Sequence, residues 1–184
     1  MKNSMQSFLL DTNIWEYWHN EEGHPSESVN IKKRIKELIN LTQNDEQFGW
    51  RLGISVVNLG EIDYGYNVMT KKERSREDEF RQFLSGIDPW IVSIDKHVAK
   101  MYGMLRARLF EKYSPNDKKR KGLRPEQLID PVTSLSLGIQ ENDLWITAQA
   151  TVFNLILVTN DKKMVRIHEV AGNELHIENW AERK

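Results

Sequence analysis

The sequence predicts an α/β fold in which a central parallel β-sheet is flanked by helices. Three observations carry the prediction. Short apolar runs rich in β-branched residues alternate with longer stretches of helical period along the 184 residues, the pattern of strands joined by crossover helices. Acids stand directly after several of those runs, and α/β proteins bind ligands outside the carboxyl ends of their strands. With no cysteine, 39% hydrophobic and 29% charged residues, the chain has the composition of a globular core built without disulfides or thiolate metal sites.

The elements follow in order. Phe8-Leu9-Leu10 ends the first strand. Ile31, Ile35, Leu38 and Ile39 share one face of a helix that carries Lys and Arg on the other. "ISVV", from Ile54, reads as a second strand, with a helix from about Asn58 behind it. Thr70 and Glu73 have capping-box spacing at the head of the next helix, and Gly86 closes it. "WIVSI" is a third strand, after which Val98, Met101, Met104, Leu105 and Leu109 mark a long amphipathic helix. Residues from about Tyr113 to Gly138 hold Pro115, Pro125 and Pro131 and read as an irregular insertion. "ENDLWITAQATVF" is a helix, "LILVTN" a strand, "KKMVRI" a short helix and "LHIENW" a final strand. The length suits one domain over residues 1–184.

Charge excludes little. Lys and Arg number 26 against 27 Asp and Glu, a net charge of -1, so only local clustering can argue for a polyanionic partner. The clearest cluster is "NDKKRKGLRPEQ", where Lys118, Lys119, Arg120, Lys121 and Arg124 crowd one stretch; a solvated loop is its plain interpretation. No apolar run approaches the length of a membrane span. The amino terminus is too briefly apolar for a signal peptide, and the lack of cysteine fits a reducing cytoplasm.

Asp11 follows "FLL", Glu61 follows "ISVV", Asp161 follows "LILVT", and Asp143 heads the helix leading into that last strand. In a parallel sheet these acids would share one edge. Several carboxylates in one pocket resist joint ionisation unless a cation neutralises them. An acidic pocket without thiolates suits a hard ion such as Mg²⁺ or Mn²⁺, which activates water and stabilises charge on a phosphoryl group. The residues alone thus point to metal-assisted hydrolysis of a phosphodiester or phosphomonoester.

The motifs "LLDTNIW", "ISVVNLGEIDYGY", "ENDLWITAQA" and "LILVTNDKKM", in that order and closed by "LHIENW", resemble the PIN-domain nucleases, above all the VapC-type toxins of toxin–antitoxin pairs. The resemblance implies a PIN fold and a Mg²⁺- or Mn²⁺-dependent ribonuclease that leaves a 5′-phosphate and a 3′-hydroxyl. Asp11, Glu61, Asp143 and Asp161 become its acidic, metal-holding site. Asp11 and Asp143 would be direct ligands, while Glu61 and Asp161 would help hold the ions or orient the attacking water. Thr12, Asn13, Thr159 and Asn160 match polar neighbours that position the acids or a phosphate. The basic residues Lys118, Lys119, Arg120 and Lys121 become candidate contacts to the RNA backbone. An antitoxin packing against the early helices is the implied partner, and a homodimer is a further assembly the family admits. Two departures stand out: extra sequence around residues 21–50 and 113–138, and Met164 where such toxins often have Phe.

Each acid also has a plainer explanation. Asp11 can cap the first helix, Glu61 lies at capping-box distance from Asn58, and Asp143 and Asp161 can oppose a helix dipole. Asn caps about as well as Asp, so amide substitution at Asp11, Glu61 or Asp143 separates the roles: near-normal melting with lost cleavage marks a metal site. Asp95, which follows "WIVSI" but matches no motif, reads as a structural cap, and Asp63 as an exposed or supporting acid. Trp15, Tyr17 and Trp18 read as core or partner-facing residues, with base stacking as the alternative, and His19 and His24 as surface loop residues. A phosphatase that opens on Asp-x-Asp is disfavoured, because Asn13 cannot donate the leaving group's proton. A processing nuclease outside any toxin pair and a non-cutting RNA- or protein-binding module remain as alternatives.

Overall fold

The computed structural model describes residues 4–45, 47–69, 75–114 and 122–182. Two compact units emerge, one of Met1–Ser93, Ile156–Asn160 and Ile177–Lys184, the other of Ile94–Leu155 and Asp161–His176. The first is built on a five-stranded parallel sheet of β1 (Ser4–Leu10), β2 (Phe48–Ser55), β3 (Trp90–Val92), β4 (Ile156–Val158) and β5 (His176–Glu178), as the alternating pattern predicts. The order is β3-β2-β1-β4-β5. Strands are added to one side of β1 and then to the other, so the order reverses between β1 and β4, where α/β sheets open a crevice for ligands.

Period-two alternation sorts the side chains. Phe8 and Leu10 of β1 lie beside Leu52 and Ile54 of β2 in a core with Ile14, Trp15, Ile31, Leu38, Val158 and Trp180. Leu9 and Leu157 project from the opposite face and are also fully buried. Between them and β3 the sheet is tight at Gly53, where a Cβ would approach Val92 Cγ2 to 3.1 Å and the Phe8 carbonyl oxygen to 3.3 Å.

Four helices belong to this unit: α1 (Thr12–His19), α2 (Pro25–Asn44), α3 (Val56–Val68) and α4 (Ser75–Ile87). Part of the extra sequence at 21–50 is therefore α2, opened by Pro25, whose fixed φ suits a first helical position. Its Ile31 and Leu38 are buried, whereas Ile39, expected on the same face, is 42% exposed. The expected strand "ISVV" ends at Ser55, and Val56 and Val57 already belong to α3. Ser55 Oγ accepts the Val57 N–H at 2.9 Å, and Asn58 Oδ1 accepts the Ser55 N–H at 3.2 Å. That reciprocal cap outweighs the strand preference of the two valines. Gly86 lies inside α4, and the left-handed turn that ends it falls on Asp88 (φ 51°). The proposed cap at Thr70 and Glu73 lies outside the described residues.

Trp15 is fully buried, donates its indole N–H to the Leu10 carbonyl at 3.1 Å, and stacks on Trp18, with Phe83 edge-on to both. Trp15 is core, with Trp18 and Phe83 partly buried against it, which leaves no face of Trp15 for a base. His19 ends α1 against Phe80 and Phe83, so it is a packed residue rather than a loop one.

The second unit contains α5 (Lys96–Tyr113), α6 (Glu141–Val152) and α7 (Met164–Ala171). Asp95 caps α5 as expected, accepting the His97 and Val98 N–H groups at 2.8 and 2.9 Å. The Val98 bond first, then the His97 bond, hold its carboxyl below the usual carboxylate range. Leu105, Leu109 and Phe110 are buried, while Met104 is 38% exposed. Residues 122–138 hold short pieces of structure, among them a 3-10 turn at Pro125–Gln127 and an isolated bridge between Ile129 and Ser136, the irregularity their prolines predict. Among the described residues no helix is long and apolar enough to cross a membrane.

Candidate functional site

The chain leaves β1 at Leu10 and turns into α1 at Thr12, so Asp11 stands at the carboxyl edge of the central strand. Its backbone N–H donates to the Val158 carbonyl at 2.9 Å, fixing it against β4 at the point where the strand order reverses. Asp11 is both cap and hub. Its Oδ1 accepts the Thr12 N–H at 2.7 Å, and its Oδ2 accepts Asn13 Nδ2 at 2.7 Å and the Thr159 hydroxyl at 2.7 Å. The residue is only 9% exposed, and a carboxylate this buried persists because donors surround it.

Glu61 is tied to this hub through Thr12. The Thr12 hydroxyl donates to Glu61 Oε2 at 2.6 Å and accepts from Asn58 Nδ2 at 2.8 Å. Because Ser55 and Asn58 already form the cap of α3, Glu61 is not the capping residue its spacing from Asn58 allows; it lies further along the helix, half-buried. On the other side, Asn13 Oδ1 accepts the Asn160 N–H at 3.1 Å, and Asn179 Nδ2 donates to Asn160 Oδ1 at 2.7 Å. Six of the residues singled out in the sequence, Asp11, Thr12, Asn13, Glu61, Thr159 and Asn160, thus meet in one hydrogen-bonded cluster within the first unit.

The other two acids belong to the second unit. Asp143 Oδ2 accepts the Gln140 N–H at 2.7 Å, a capping-box bond at the start of α6. Asp161 Oδ1 accepts the Lys163 N–H at 2.9 Å and its carbonyl accepts the Met164 N–H at 3.1 Å, forming the turn into α7. Both therefore have the local role of helix-start acids. Among the described residues no group of three or more His, Asp or Glu side chains converges to hold a metal ion. Lys118, Lys119, Arg120 and Lys121 lie outside the described residues, while Arg124 is exposed and its N–H is bound by Gln127. Asp63 is a half-buried acid paired with Arg81 at 2.7 Å.

Two residues escaped the sequence reading. Asn58, fully buried, appeared only as a helix start, yet its amide also reaches the Thr12 hydroxyl. Asn179 was hidden in "LHIENW"; its signal was that it follows the last strand, on the edge where the other polar residues collect.

A cavity of about 590 Å³ opens beside Thr12 and Glu61 in the same unit. Its lining combines the apolar or aromatic Ile62, Tyr66, Met69 and Phe80 with acids, Glu16, Glu21, Glu22, Glu61 and Glu79, that outnumber Arg76. Burial pushes the Tyr66 phenol above its usual value, and the charges of Glu77 and Glu16 add in the same direction. The cavity is electronegative.

The chain matches the model of the PIN domain over residues 8–170. Among solved structures it is similar to VapBC2 from Rickettsia felis bound to a DNA fragment from their promoter, with 29% identity, TM-score 0.59, and 95% of this chain and 99% of that one covered. VapBC-1 from nontypeable Haemophilus influenzae (21% identity, TM-score 0.61, 96% and 100% covered) and FitAcB from Neisseria gonorrhoeae (19%, 0.55, 96% and 99%) share the fold. No curated protein matches the chain.

Proposed function

The chain belongs to the PIN-domain family, whose members are generally nucleases, and on that premise we propose that it is a metal-dependent endoribonuclease serving as the toxin of a VapBC-type pair. The observation that carries the reading is the Asp11–Thr12–Glu61 cluster at the reversal point of the sheet, where the fold puts ligands and the donor set is all oxygen. Such donors fit Mg²⁺ or Mn²⁺. Asp11 and Glu61 would hold the ion, with Asp143 and Asp161 kept in the acidic set on the strength of their motifs. When bound, the ion supplies an activated water and offsets charge on the phosphoryl group. The protein's own part is orientation. Thr12, Asn13 and Thr159 fix the Asp11 carboxylate in one rotamer, and the Thr12 hydroxyl, itself held by Asn58, does the same for Glu61.

The test is incubation of the purified chain with a panel of RNAs and Mg²⁺ or Mn²⁺. Cleavage is expected to stop with EDTA and return with excess ion, leaving 5′-phosphate ends. Cleavage that survives thorough chelation removes the metal from the mechanism, and no cleavage of any RNA makes the chain a binding module.

The similar structure from Rickettsia felis contains VapBC2, which supports a cognate antitoxin here. The cavity beside Glu61 supports it too: its acids repel phosphate, and acids mixed with apolar side chains suit a basic, amphipathic polypeptide segment. RNA on either side of the phosphate that is cut must then be gripped elsewhere, and Lys118, Lys119, Arg120 and Lys121 are the candidates in the sequence. Replacing all of them with Ser in a cleavage-dead background should flatten the slope of log affinity against log salt by up to roughly 3, since each single-strand phosphate contact contributes about 0.7. An unchanged slope in filter binding would return the run to a solvated loop.

A further inference from the structure

We propose that Asn179 is a positioning residue of the Asp11 site, holding residue 160 so that Asn13 aims the Asp11 carboxylate. The inference rests on the nuclease reading for its catalytic consequence, but its geometry is independent of it.

Both ends of the Asn179 carboxamide are engaged, with opposite polarity. Its Nδ2 donates to Asn160 Oδ1 at 2.7 Å, and its Oδ1 accepts the Ala181 N–H at 2.9 Å. A flipped amide would set donor against donor and acceptor against acceptor, so the group has one orientation. The last strand grips the end of β4 twice: the Thr159 N–H donates to the Glu178 carbonyl at 3.0 Å, and Asn179 then takes the Asn160 side chain. With residue 160 held, its N–H meets Asn13 Oδ1 at 3.1 Å. That contact decides which way the Asn13 amide faces, leaving its Nδ2 toward Asp11 Oδ2 at 2.7 Å and Thr159 Oγ1 at 3.3 Å. The series Asn179–Asn160–Asn13–Asp11 thus runs unbroken from the end of the chain's last strand to the central carboxylate, entirely within the first unit. The hydrogen bonds of the Asn179 side chain go to Asn160 and Ala181 rather than to Asp11. It acts only through Asn160, and that route can be tested.

The experiment compares Asn179→Ala, Asn160→Ala, the double variant and Asn179→Asp. The aspartate keeps an acceptor for Ala181 but presents no donor to Asn160. Cleavage is measured as kcat and KM on one RNA with Mn²⁺, and amide hydrogen exchange is followed by NMR without metal. In both Asn179 variants kcat should fall about tenfold, the size typical of residues that orient a metal ligand from behind, with KM unchanged. In the Asn160→Ala background, Asn179→Ala should cost nothing further. The Asn160 N–H should exchange about tenfold faster in the Asn179 variants while the Thr159 N–H, bonded to β5, keeps its protection. Additive losses in the double variant, equal acceleration at Thr159, or an unmoved Asn160 amide would each overturn the proposal and make Asn179 a strand-end cap. If Asn179→Ala fails to fold, Asn179→Asp decides the matter alone. Should the unmodified chain cleave no RNA, the nuclease reading falls, and the exchange pattern still determines whether Asn179 orders the site.

Discussion

Asp11→Asn is expected to reduce RNA cleavage roughly a thousand-fold, the several kcal/mol that a metal-held charge contributes to a phosphoryl transition state, and also to lower the melting temperature by roughly 5 °C. The second effect departs from the capping rule, under which Asn replaces Asp at little cost. The structure gives the reason. The native carboxylate accepts at both oxygens, from Thr12 N–H on one and from Asn13 Nδ2 and the Thr159 hydroxyl on the other. An amide that keeps its oxygen toward Thr12 turns an NH₂ toward the NH₂ of Asn13. The Thr159 hydroxyl can rotate and accept, but Asn13 cannot turn, because its own oxygen holds the Asn160 N–H. Asn13 Nδ2 then keeps only its longer contact to Thr159 Oγ1 at 3.3 Å; losing its short bond to a charged group costs about 1.5–3 kcal/mol, and a chain of this size loses about 2–4 °C per kcal/mol. Differential scanning calorimetry without metal and single-turnover cleavage with Mn²⁺ measure the two effects. Full cleavage in a destabilised variant would reduce Asp11 to a cap.

The same residue marks how far the sequence could be read. An apolar run ending in Asp-Thr-Asn announces both a strand end and a helix cap, and both are present. The run cannot announce that Asp11 sits at the reversal of strand order, because that depends on β4 pairing with β1 across nearly the whole chain. The strands themselves were legible from β-branched runs, but their ends were not: "WIVSI" is strand only over Trp90–Val92 and "LILVTN" only over Ile156–Val158. "ISVV" scores as strand throughout, yet Ser55 and Asn58 satisfy each other's backbone and side chain and so start the helix at Val56. Local polar bonds decide such boundaries. Ile39 and Met104 failed for another reason. Periodicity locates a stripe, but only packing decides how wide the buried part of the stripe is.

At the site, acids were easier to find than amides. Carboxylates after strands stand out because their charge needs an explanation, whereas an asparagine after a strand is ordinary turn chemistry. Asn58 and Asn179 therefore passed as a helix start and a tail residue, although the first reaches the Thr12 hydroxyl and the second the Asn160 side chain. Asp143 and Asp161 show the converse. The resemblance of their motifs implies a catalytic role, while their visible bonds, to Gln140 and to Lys163, are those of helix-start acids. A helix-start acid and a metal ligand present the same residue type, and a side chain can serve as both, as Asp11 does in the proposed reading.

Glu61→Gln separates the readings most cleanly, since at this position the cap is already supplied. Ser55 and Asn58 close the start of α3, so the Glu61 charge is not needed to cap it. The Thr12 hydroxyl donates to Oε2 at 2.6 Å, and a glutamine oxygen can accept that bond unchanged. The rest of the side chain lines the open, acid-rich cavity, where a neutral group also relieves repulsion from Glu16 and Glu79. Stability should therefore stay within about 0.5 kcal/mol of the native chain, a melting change of under about 2 °C. Cleavage, by contrast, should fall about a hundred-fold, with the Mn²⁺ concentration for half-maximal rate rising, because a neutral amide holds a hard cation less firmly than a carboxylate. Melting curves without metal and cleavage rates across a Mn²⁺ series read the two quantities separately. Activity within about a factor of two of native would mean that Glu61 serves only to hold the Thr12 hydroxyl, and that the charge beside Asp11 has no part in the reaction. A Gln variant that melts normally and no longer cuts leaves the missing charge as the only change to which the loss can be assigned.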